Sequence, residues 1–125
     1  MQDNTKQSGN YATQFIGKEV EIIIDRPLHS KHPKYGFVYE INYGFIPNTK
    51  APDGEGIDAY LLGIDDPVET YTGKCIAVVH RLNDADDKLV VIPVSLGDVD
   101  DEEIRRSTHF QEQFFTSEII RETDE

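Results

Sequence analysis

The stretch of residues 39–62 constrains the fold of this chain more than any other. Aromatic and β-branched side chains over residues 39–47 favour a strand, which Pro47 and the residue after it end in a turn. A second turn, residues 52–56, contains two glycines and leads at once into the apolar run of residues 60–62. Because strand and turn signals alternate over so short a distance, the sequence predicts a rigid scaffold of short β-strands.

The second turn carries three carboxylates within six positions, at Asp53, Glu55 and Asp58. Anions this close repel one another, so placing them between two buried strands costs stability unless a cation neutralises them. Hard carboxylate oxygens suit Mg²⁺ or Ca²⁺ rather than zinc. The turn alone leaves a second interpretation open, in which it is a solvated acidic loop without a ligand.

A second acidic turn holds Asp84, Asp86 and Asp87, and Lys88 follows it directly at the start of another apolar run. If both turns face one side of a barrel, their carboxylates converge and can hold divalent cations that activate a water. A lysine next to such a site is a common way to hold a phosphoryl group. The alternative is that both turns are polar hairpin tips and that Lys88 makes a surface salt bridge.

The acidic composition excludes some classes of partner. Twelve basic against 24 acidic residues give a net charge of −12, which disfavours binding to nucleic acid. A small anionic substrate remains compatible if divalent cations mediate its binding. The single cysteine, Cys75, lies in an apolar run, which predicts a core thiol and excludes an intrachain disulfide and a cysteine-based zinc site.

Targeting signals are not apparent in the sequence. No apolar stretch has the roughly 20 residues that a membrane span needs. The first fifteen residues are polar, which argues against a signal peptide. A cytoplasmic protein that does not bind membranes is therefore expected.

The remaining patterns predict five strands and one helix. The strands are expected over residues 18–25, 37–45, 59–64, 74–82 and 88–94. Asp100 followed by Glu103 resembles a capping box at a helix start, and apolar positions from Ile104 to Ile119 roughly follow helical spacing.

Residues 1–14 are polar and are predicted to be a disordered tail, with residues 15–125 forming a single domain. The fold class is predicted to be mainly β with a C-terminal helix. Strands of this number and length favour a small closed or partly closed β-barrel, while a sandwich remains possible.

Two consecutive motifs resemble a known family. Asn42-Tyr43-Gly44-Phe45-Ile46-Pro47, followed by Asp53-Gly54-Glu55-Gly56-Ile57-Asp58, closely resembles the signature of the soluble (family I) inorganic pyrophosphatases. The resemblance extends over roughly residues 18–120 and is most specific over residues 39–62. It implies an OB-like closed β-barrel of about five strands. It also implies Mg²⁺-dependent hydrolysis of inorganic diphosphate to two phosphates, with Mn²⁺ or Ca²⁺ as other possible ions and a possible homo-oligomer.

The same resemblance assigns roles to individual residues. It implies metal ligands at Asp25, Asp53, Asp58, Asp84 and Asp86. Glu55 stands in place of the middle aspartate of the signature, which accepts a proton from the attacking water. Lys34, Lys88 and Tyr43 would bind the substrate, and the Tyr43 hydroxyl would also take part in catalysis by donating to phosphate or to a water.

The chain also departs from the family pattern, as a shortened and divergent member. The hairpin that normally follows Gly36, with its phosphate-binding arginine, is missing, and Arg26 or Lys31 is a candidate replacement. Phe114 and Phe115 stand where a tyrosine and a lysine contact the substrate. Two alternatives therefore stay open: a hydrolase of another phosphoanhydride or phosphate ester, and a non-catalytic module that binds divalent metal or phosphate.

Overall fold

The computed structural model describes residues 11–83 and 86–122. Within these two described ranges, six strands and one helix of several turns make up most of the regular structure. They are β1 (Glu19–Arg26), β2 (Asn42–Ile46), β3 (Ile57–Leu61), β4 (Thr70–Arg81), β5 (Lys88–Ile92), α1 (Asp101–Glu112) and β6 (Ser117–Ile120), with a short 3-10 turn at Val94–Leu96. Within the described residues, no helix is long and apolar enough to span a membrane.

Five of the strands close into a barrel. They pair in the order β1-β2-β3-β5-β4, and a further pairing of β1 with β4 completes the circle. All of these pairs are antiparallel except β3 with β5, which is parallel. The prediction of a mainly β fold, built as a small closed barrel of about five strands with a C-terminal helix, is confirmed.

The length of β4 allows the barrel to close. Its first residues pair with β1, from Lys74 back to Thr70, while residues 78–81 pair with β6. A register shift against β5 between Cys75 and Ala77 bends the strand between these two halves. At this bend Cys75 is buried, and burial raises the pKa of its thiol to about 12. The thiol therefore stays protonated in the core.

Alternate residues of the strands build two separate cores. Ala59 and Leu61 of β3 belong to the barrel interior, whereas Tyr60 belongs to a layer between the barrel and α1. This follows from the two-residue period of a strand, which sends neighbouring side chains to opposite faces. Tyr39 and Tyr43, four residues apart, both lie in the second layer with ring centroids separated by 5.4 Å.

The close approach of β1 to β2 requires a glycine at position 44, in the centre of β2. A Cβ atom at this position would lie 1.8 Å from the carbonyl oxygen of Ile23 on β1. Any side chain here would push β1 away from β2. The glycine of the sequence motif is therefore required by the close approach of two barrel strands.

The start of the second strand and the end of the helix differ most from the sequence-based expectation. The predicted strand 37–45 begins only at Asn42, because residues 37–41 form an irregular segment over the aromatic layer. The predicted helix ends at Glu112, and placing Ile119 in it was wrong because Ile119 pairs with Val79 in β6.

The packed part of the chain also begins before residue 15, where the domain was predicted to start. Residues 11–13 form a helical turn in which Ala12 is fully buried, and the Tyr11 hydroxyl accepts a hydrogen bond from the Asp87 amide. The remainder of the predicted tail, residues 1–10, lies outside the described residues.

The start of α1 offers a test of the capping prediction. The Asp100 carboxylate accepts a hydrogen bond from the Glu103 amide at 2.9 Å. Replacing this cap in Asp100→Ala is expected to cost about 1 kcal/mol of unfolding free energy, because the amide loses its partner. Urea unfolding measures the change, with Glu102→Ala in the same helical turn as the control. Equal losses in both variants would contradict the cap.

Candidate active site

A cleft of about 770 Å³ opens on the outer face of the barrel strands, beside the C-terminal end of α1. β1, β2, β3, β4 and β5 each contribute residues to its polar side, and the segment 32–39 and the end of α1 form the rest. Its lining residues are Asp25, Arg26, His32, Tyr35, Phe37, Tyr39, Tyr43, Asp58, Arg81, Lys88, Gln111, Phe114 and Phe115.

An ion pair between Asp58 and Lys88 lies at the polar side of the cleft. The Lys88 ammonium is 2.6 Å from Asp58 Oδ2, and its side chain is only 5% exposed, whereas that of Asp58 is 31% exposed. The two residues are direct partners in the parallel pairing of β3 with β5. The ammonium also lies 5.7 Å from the ring centroid of Tyr43. A buried ammonium needs such an anion, so Asp58 stabilises the Lys88 side chain in its position at the cleft.

Asp25, near the end of β1, brings a second carboxylate to the same cleft. Desolvation raises the pKa of Asp25, the adjacent Arg26 opposes this shift, and the charge of Asp58 adds to it. The charge of Asp58 thus acts on Asp25, and both carboxylates line the same cleft. A pair of hard oxygen donors on one wall is an arrangement that can share a cation.

Tyr43 supplies a neutral phenol beside this pair. Burial raises the pKa of Tyr43 well above its ordinary value, and the Asp58 carboxylate raises it further. Tyr43 therefore keeps its proton at every physiological pH and can donate a hydrogen bond to an anion in the cleft. Burial also raises the pKa of Tyr39, which lines the neighbouring wall.

A buried ion pair between Arg81 and Glu112, which local sequence patterns do not reveal, supports the cleft between β4 and α1. Arg81 on β4 donates from Nε to Glu112 Oε1 at 3.1 Å and from Nη2 to Oε2 at 2.7 Å. The Tyr60 hydroxyl donates to the same Oε2 atom and accepts from Gln111 Nε2. Burial disfavours the charge of Arg81, but the hydrogen bonds and charge of Glu112 outweigh it and raise the pKa of the guanidinium.

Arg81 also stacks on Phe115, with the guanidinium carbon 3.6 Å from the ring centroid. By the family resemblance, Phe115 occupies a position at which the family has a lysine that contacts the substrate. A cation from the barrel thus lies against the ring that occupies the position of this lysine. Two features of the sequence could have indicated this ion pair. Arg81 ends the apolar run 75–80, and Glu112 lies four residues after Thr108, on the buried face of α1.

The other predicted site residues lie elsewhere. Asp53 and Glu55 are exposed on the turn before β3, where Asp53 Oδ1 accepts from the Glu55 amide. Lys34 is exposed, with its ammonium 5.4 Å from the Tyr35 ring centroid. Asp86 is half-buried just before β5 and does not line the cleft, and Asp84 lies outside the described residues. The structure therefore brings together Asp25, Tyr43, Asp58 and Lys88 from the predicted set.

The carboxylates that line the cleft offer oxygen donors, which suit a hard divalent cation. Within residues 11–83 and 86–122, no group of three or more acidic, histidine or cysteine side chains is arranged to enclose a metal. Asp25 and Asp58 nevertheless face one cleft with oxygen donors. Mg²⁺ is usually held by one or two carboxylates together with substrate phosphates, rather than by a cage of protein ligands. The pair therefore fits a hard divalent cation that an oxygen-rich ligand helps to bind.

Comparison with known proteins identifies the family. The family model described as inorganic pyrophosphatase matches residues 5–123. The chain belongs to the inorganic pyrophosphatase family. An inorganic pyrophosphatase of Rickettsia conorii is 30% identical over a match that covers 65% of this chain and 59% of the relative. One of Caulobacter vibrioides is 32% identical, with 70% of this chain and 50% of the relative covered.

Solved structures of the pyrophosphatase family share the fold. The crystal structure of an inorganic pyrophosphatase from Ehrlichia chaffeensis matches with a TM-score of 0.66 and 21% identity, covering 86% of this chain and 88% of that one. The enzyme from Helicobacter pylori matches with a TM-score of 0.64 and 19% identity, covering 82% and 84%. The resemblance drawn from the two motifs is confirmed, and the chain spans only 50% to 59% of the length of these two curated relatives.

The buried pair of this pyrophosphatase-family cleft can be tested by stability. Glu112→Gln keeps the size of the side chain but leaves the Arg81 charge buried without its anion. We expect a loss of about 3–5 kcal/mol of unfolding free energy. Glu103→Gln on the same helix is the matched control, since its partner Arg106 is 69% exposed, and its loss is expected to stay under about 1 kcal/mol. Urea unfolding compares the two variants, and similar losses would contradict a stabilising role for the buried pair.

Proposed function

We propose that this chain hydrolyses inorganic diphosphate to two phosphates in the cleft, with Mg²⁺ as the cation. The observation that carries the proposal is the Asp58–Lys88 pair next to Asp25 in a cleft of a pyrophosphatase-family fold. A cation site and an ammonium on the same wall are what a substrate with two phosphoryl groups requires. Membership of the family supports the same reaction.

Each residue of the polar wall has a distinct part in this proposal. Lys88 binds a phosphate oxygen with ammonium protons other than the one donated to Asp58, and Arg26 binds the second phosphate. The Tyr43 hydroxyl donates to the phosphoryl group that water attacks, which stabilises the charge that develops there. Asp25 and Asp58 hold the cation. Mg²⁺ bound there would polarise the phosphoryl oxygens and lower the pKa of a water.

The roles of the residues outside the cleft lining stay predictions. Glu55 as the proton acceptor, and Asp53 and Asp86 as further metal ligands, rest on the family motif alone. The same holds for Lys34 as a phosphate ligand and for Asp84. A cytoplasmic location and a homo-oligomer also stay predictions, and Glu55→Gln in the assay below tests the role of the proton acceptor.

The position of these residues favours one alternative. Asp53, Glu55 and Asp86 do not line the cleft, so a module that binds Mg²⁺ and phosphate without hydrolysis is the second candidate function. Such a module would need only the cation pair, Lys88 and Tyr43. Binding without turnover distinguishes it from the enzyme.

Release of phosphate from diphosphate tests hydrolysis directly. We expect release that requires Mg²⁺ and that falls by about 10- to 100-fold in Asp58→Asn, because both the cation site and the partner of Lys88 are weakened. Asp65→Asn, the same change at an exposed position outside the cleft, is expected to behave as the unaltered protein. No release from folded protein at millimolar Mg²⁺ would exclude the enzyme and favour the module.

Thermal unfolding tests the shared cation site without turnover. Mg²⁺ together with imidodiphosphate, a diphosphate analogue that is not hydrolysed, is expected to raise Tm by several degrees. A free ligand concentration of about 100 times Kd raises the free energy of unfolding by about 2.7 kcal/mol. Each component alone should raise it less, because the cation is held jointly. Asp25→Asn is expected to remove most of the joint shift, with Asp65→Asn as the control. An undiminished shift in Asp25→Asn would place the cation elsewhere.

A further inference from the structure

The wall of the cleft opposite the ion pair is built from aromatic rings. Phe37 is the centre of this aromatic wall: its ring centroid lies 5.9 Å from Phe114 in a stacked arrangement, 4.8 Å from His32 and 5.5 Å from Tyr39. Tyr35 contacts His32 in a tilted arrangement, with 4.9 Å between the ring centroids. The aromatic wall therefore forms one continuous surface along the cleft.

The outer part of this wall is exposed to solvent. Tyr35 is 67% exposed and Phe114 is 59% exposed, although both line a concave cleft. Large apolar side chains in such a position leave aromatic surface in contact with water, which a ligand can cover. A planar aromatic group is the ligand that gains most, because stacking uses the face of each ring.

Inorganic diphosphate cannot use this surface. It carries charge on both ends and has no apolar face, so it would occupy only the wall with Lys88 and Arg26. The Lys88 ammonium lies near the Tyr43 ring, and successive ring contacts run from Tyr43 to Phe114. They pass through Tyr39 and Phe37, with 5.4 to 5.9 Å between neighbouring ring centroids. The cleft thus extends well beyond its polar wall, toward rings that a charged ligand does not need.

One member of the aromatic wall, His32, can also form a hydrogen bond, which adds specificity for a polar aromatic group. His32 Nδ1 accepts hydrogen bonds from the amides of Lys34 and Tyr35, both at 3.1 Å. A neutral His32 therefore carries its proton on Nε2, which makes that atom a donor. Desolvation, with the charges of Arg26 and Lys34, lowers the pKa of His32 and keeps it neutral. The edge of a nucleobase, unlike a hydrocarbon ring, offers acceptors to such a donor.

We propose that the preferred substrate of this cleft is a nucleoside diphosphate, with its phosphates at Lys88 and Arg26 and its base stacked on Phe114 and Tyr35. This inference rests on the proposed hydrolysis and adds to inorganic diphosphate a substrate class that has the same anhydride bond and an aromatic base. Water forms a bond to the terminal phosphorus, and the bond from that phosphorus to the bridging oxygen breaks. The electron pair stays on the bridging oxygen of the departing nucleoside monophosphate, and the proton lost by the water passes to solvent. The products are a nucleoside monophosphate and phosphate.

Three substrates separate recognition of the base from hydrolysis. Adenosine diphosphate, methyl diphosphate and inorganic diphosphate share the anhydride, but only the first has a base. At fixed millimolar Mg²⁺, kcat/KM for adenosine diphosphate is expected to exceed that for methyl diphosphate by roughly tenfold or more, from stacking of one base on aromatic side chains. The ratio of the two values is the quantity to measure, because it cancels changes in the hydrolytic step.

Variants of the exposed rings then test the wall. Phe114→Ala and Tyr35→Ala are each expected to lower this ratio by several-fold to about tenfold. Leu82→Ala is the control, because Leu82 is 57% exposed but does not line the cleft, and it should leave the ratio unchanged. An equal kcat/KM for adenosine diphosphate and methyl diphosphate, or a ratio unaffected by Phe114→Ala, would overturn the inference while leaving the proposed hydrolysis intact.

Two further outcomes are decided by binding and by assembly. If folded protein releases phosphate from none of the three compounds, the proposed hydrolysis fails. Calorimetry then tests base recognition by itself, and adenosine diphosphate is expected to bind roughly tenfold more tightly than methyl diphosphate. Equal affinities would overturn base recognition as well. Sedimentation tests whether a second copy of the chain covers the rings instead. A dimer that Phe114→Ala dissociates, with the substrate ratio unchanged, would assign the wall to that interface and overturn the proposal.

Discussion

The parallel pairing of β3 with β5 is the constraint on which the site depends. It sets Asp58 directly opposite Lys88, so that the last acid of one turn meets the cation that follows the other turn. Parallel neighbours cannot be joined by a tight hairpin and need a crossover connection. Here β4 provides that crossover, and it also pairs with β1 and closes the barrel. The ion pair and the closed barrel are therefore two results of one topology.

The second layer, between the barrel and α1, connects the site to the helix. Tyr60 points out of the barrel into this layer, where its hydroxyl meets Glu112, and Glu112 in turn holds Arg81 at the cleft. This places a fully buried part of the core in direct contact with a cleft residue. Changes in helix packing will therefore alter the cleft wall, even where they do not touch a ligand.

Local patterns predicted the parts of the structure that depend on near neighbours. The Asp100 cap joins residues three apart. Tyr39 and Tyr43 share the second layer as expected, although Tyr39 precedes β2 in an irregular segment. The proximity of Lys88 to an acidic turn was also anticipated, because its position at a strand start is local. The family motifs added the closed barrel, since strand pairing itself was not readable from periodicity.

Features that depend on distant partners could not be predicted. Arg81 and Glu112 are 31 positions apart, so no pattern over neighbouring positions reveals their contact. Ile119 matched a helical spacing, but pairing with Val79 of β4 overrode that local pattern. The helical turn that contains Ala12 was missed for the same reason, since its packing depends on contacts far along the chain. In each case the deciding interaction is tertiary.

The pairing of cations inside the cleft has a consequence for how fast a ligand arrives. Lys88 and Arg81 are each neutralised by a carboxylate, and the whole chain carries a net charge of −12. The long-range field therefore repels a polyanion instead of steering it inward. Salt screens that repulsion over a Debye length of about 10 Å at 0.1 M, so the encounter rate of a free polyphosphate should rise with ionic strength. Complexation with a divalent cation removes part of the negative charge, which makes the complex the faster species to associate.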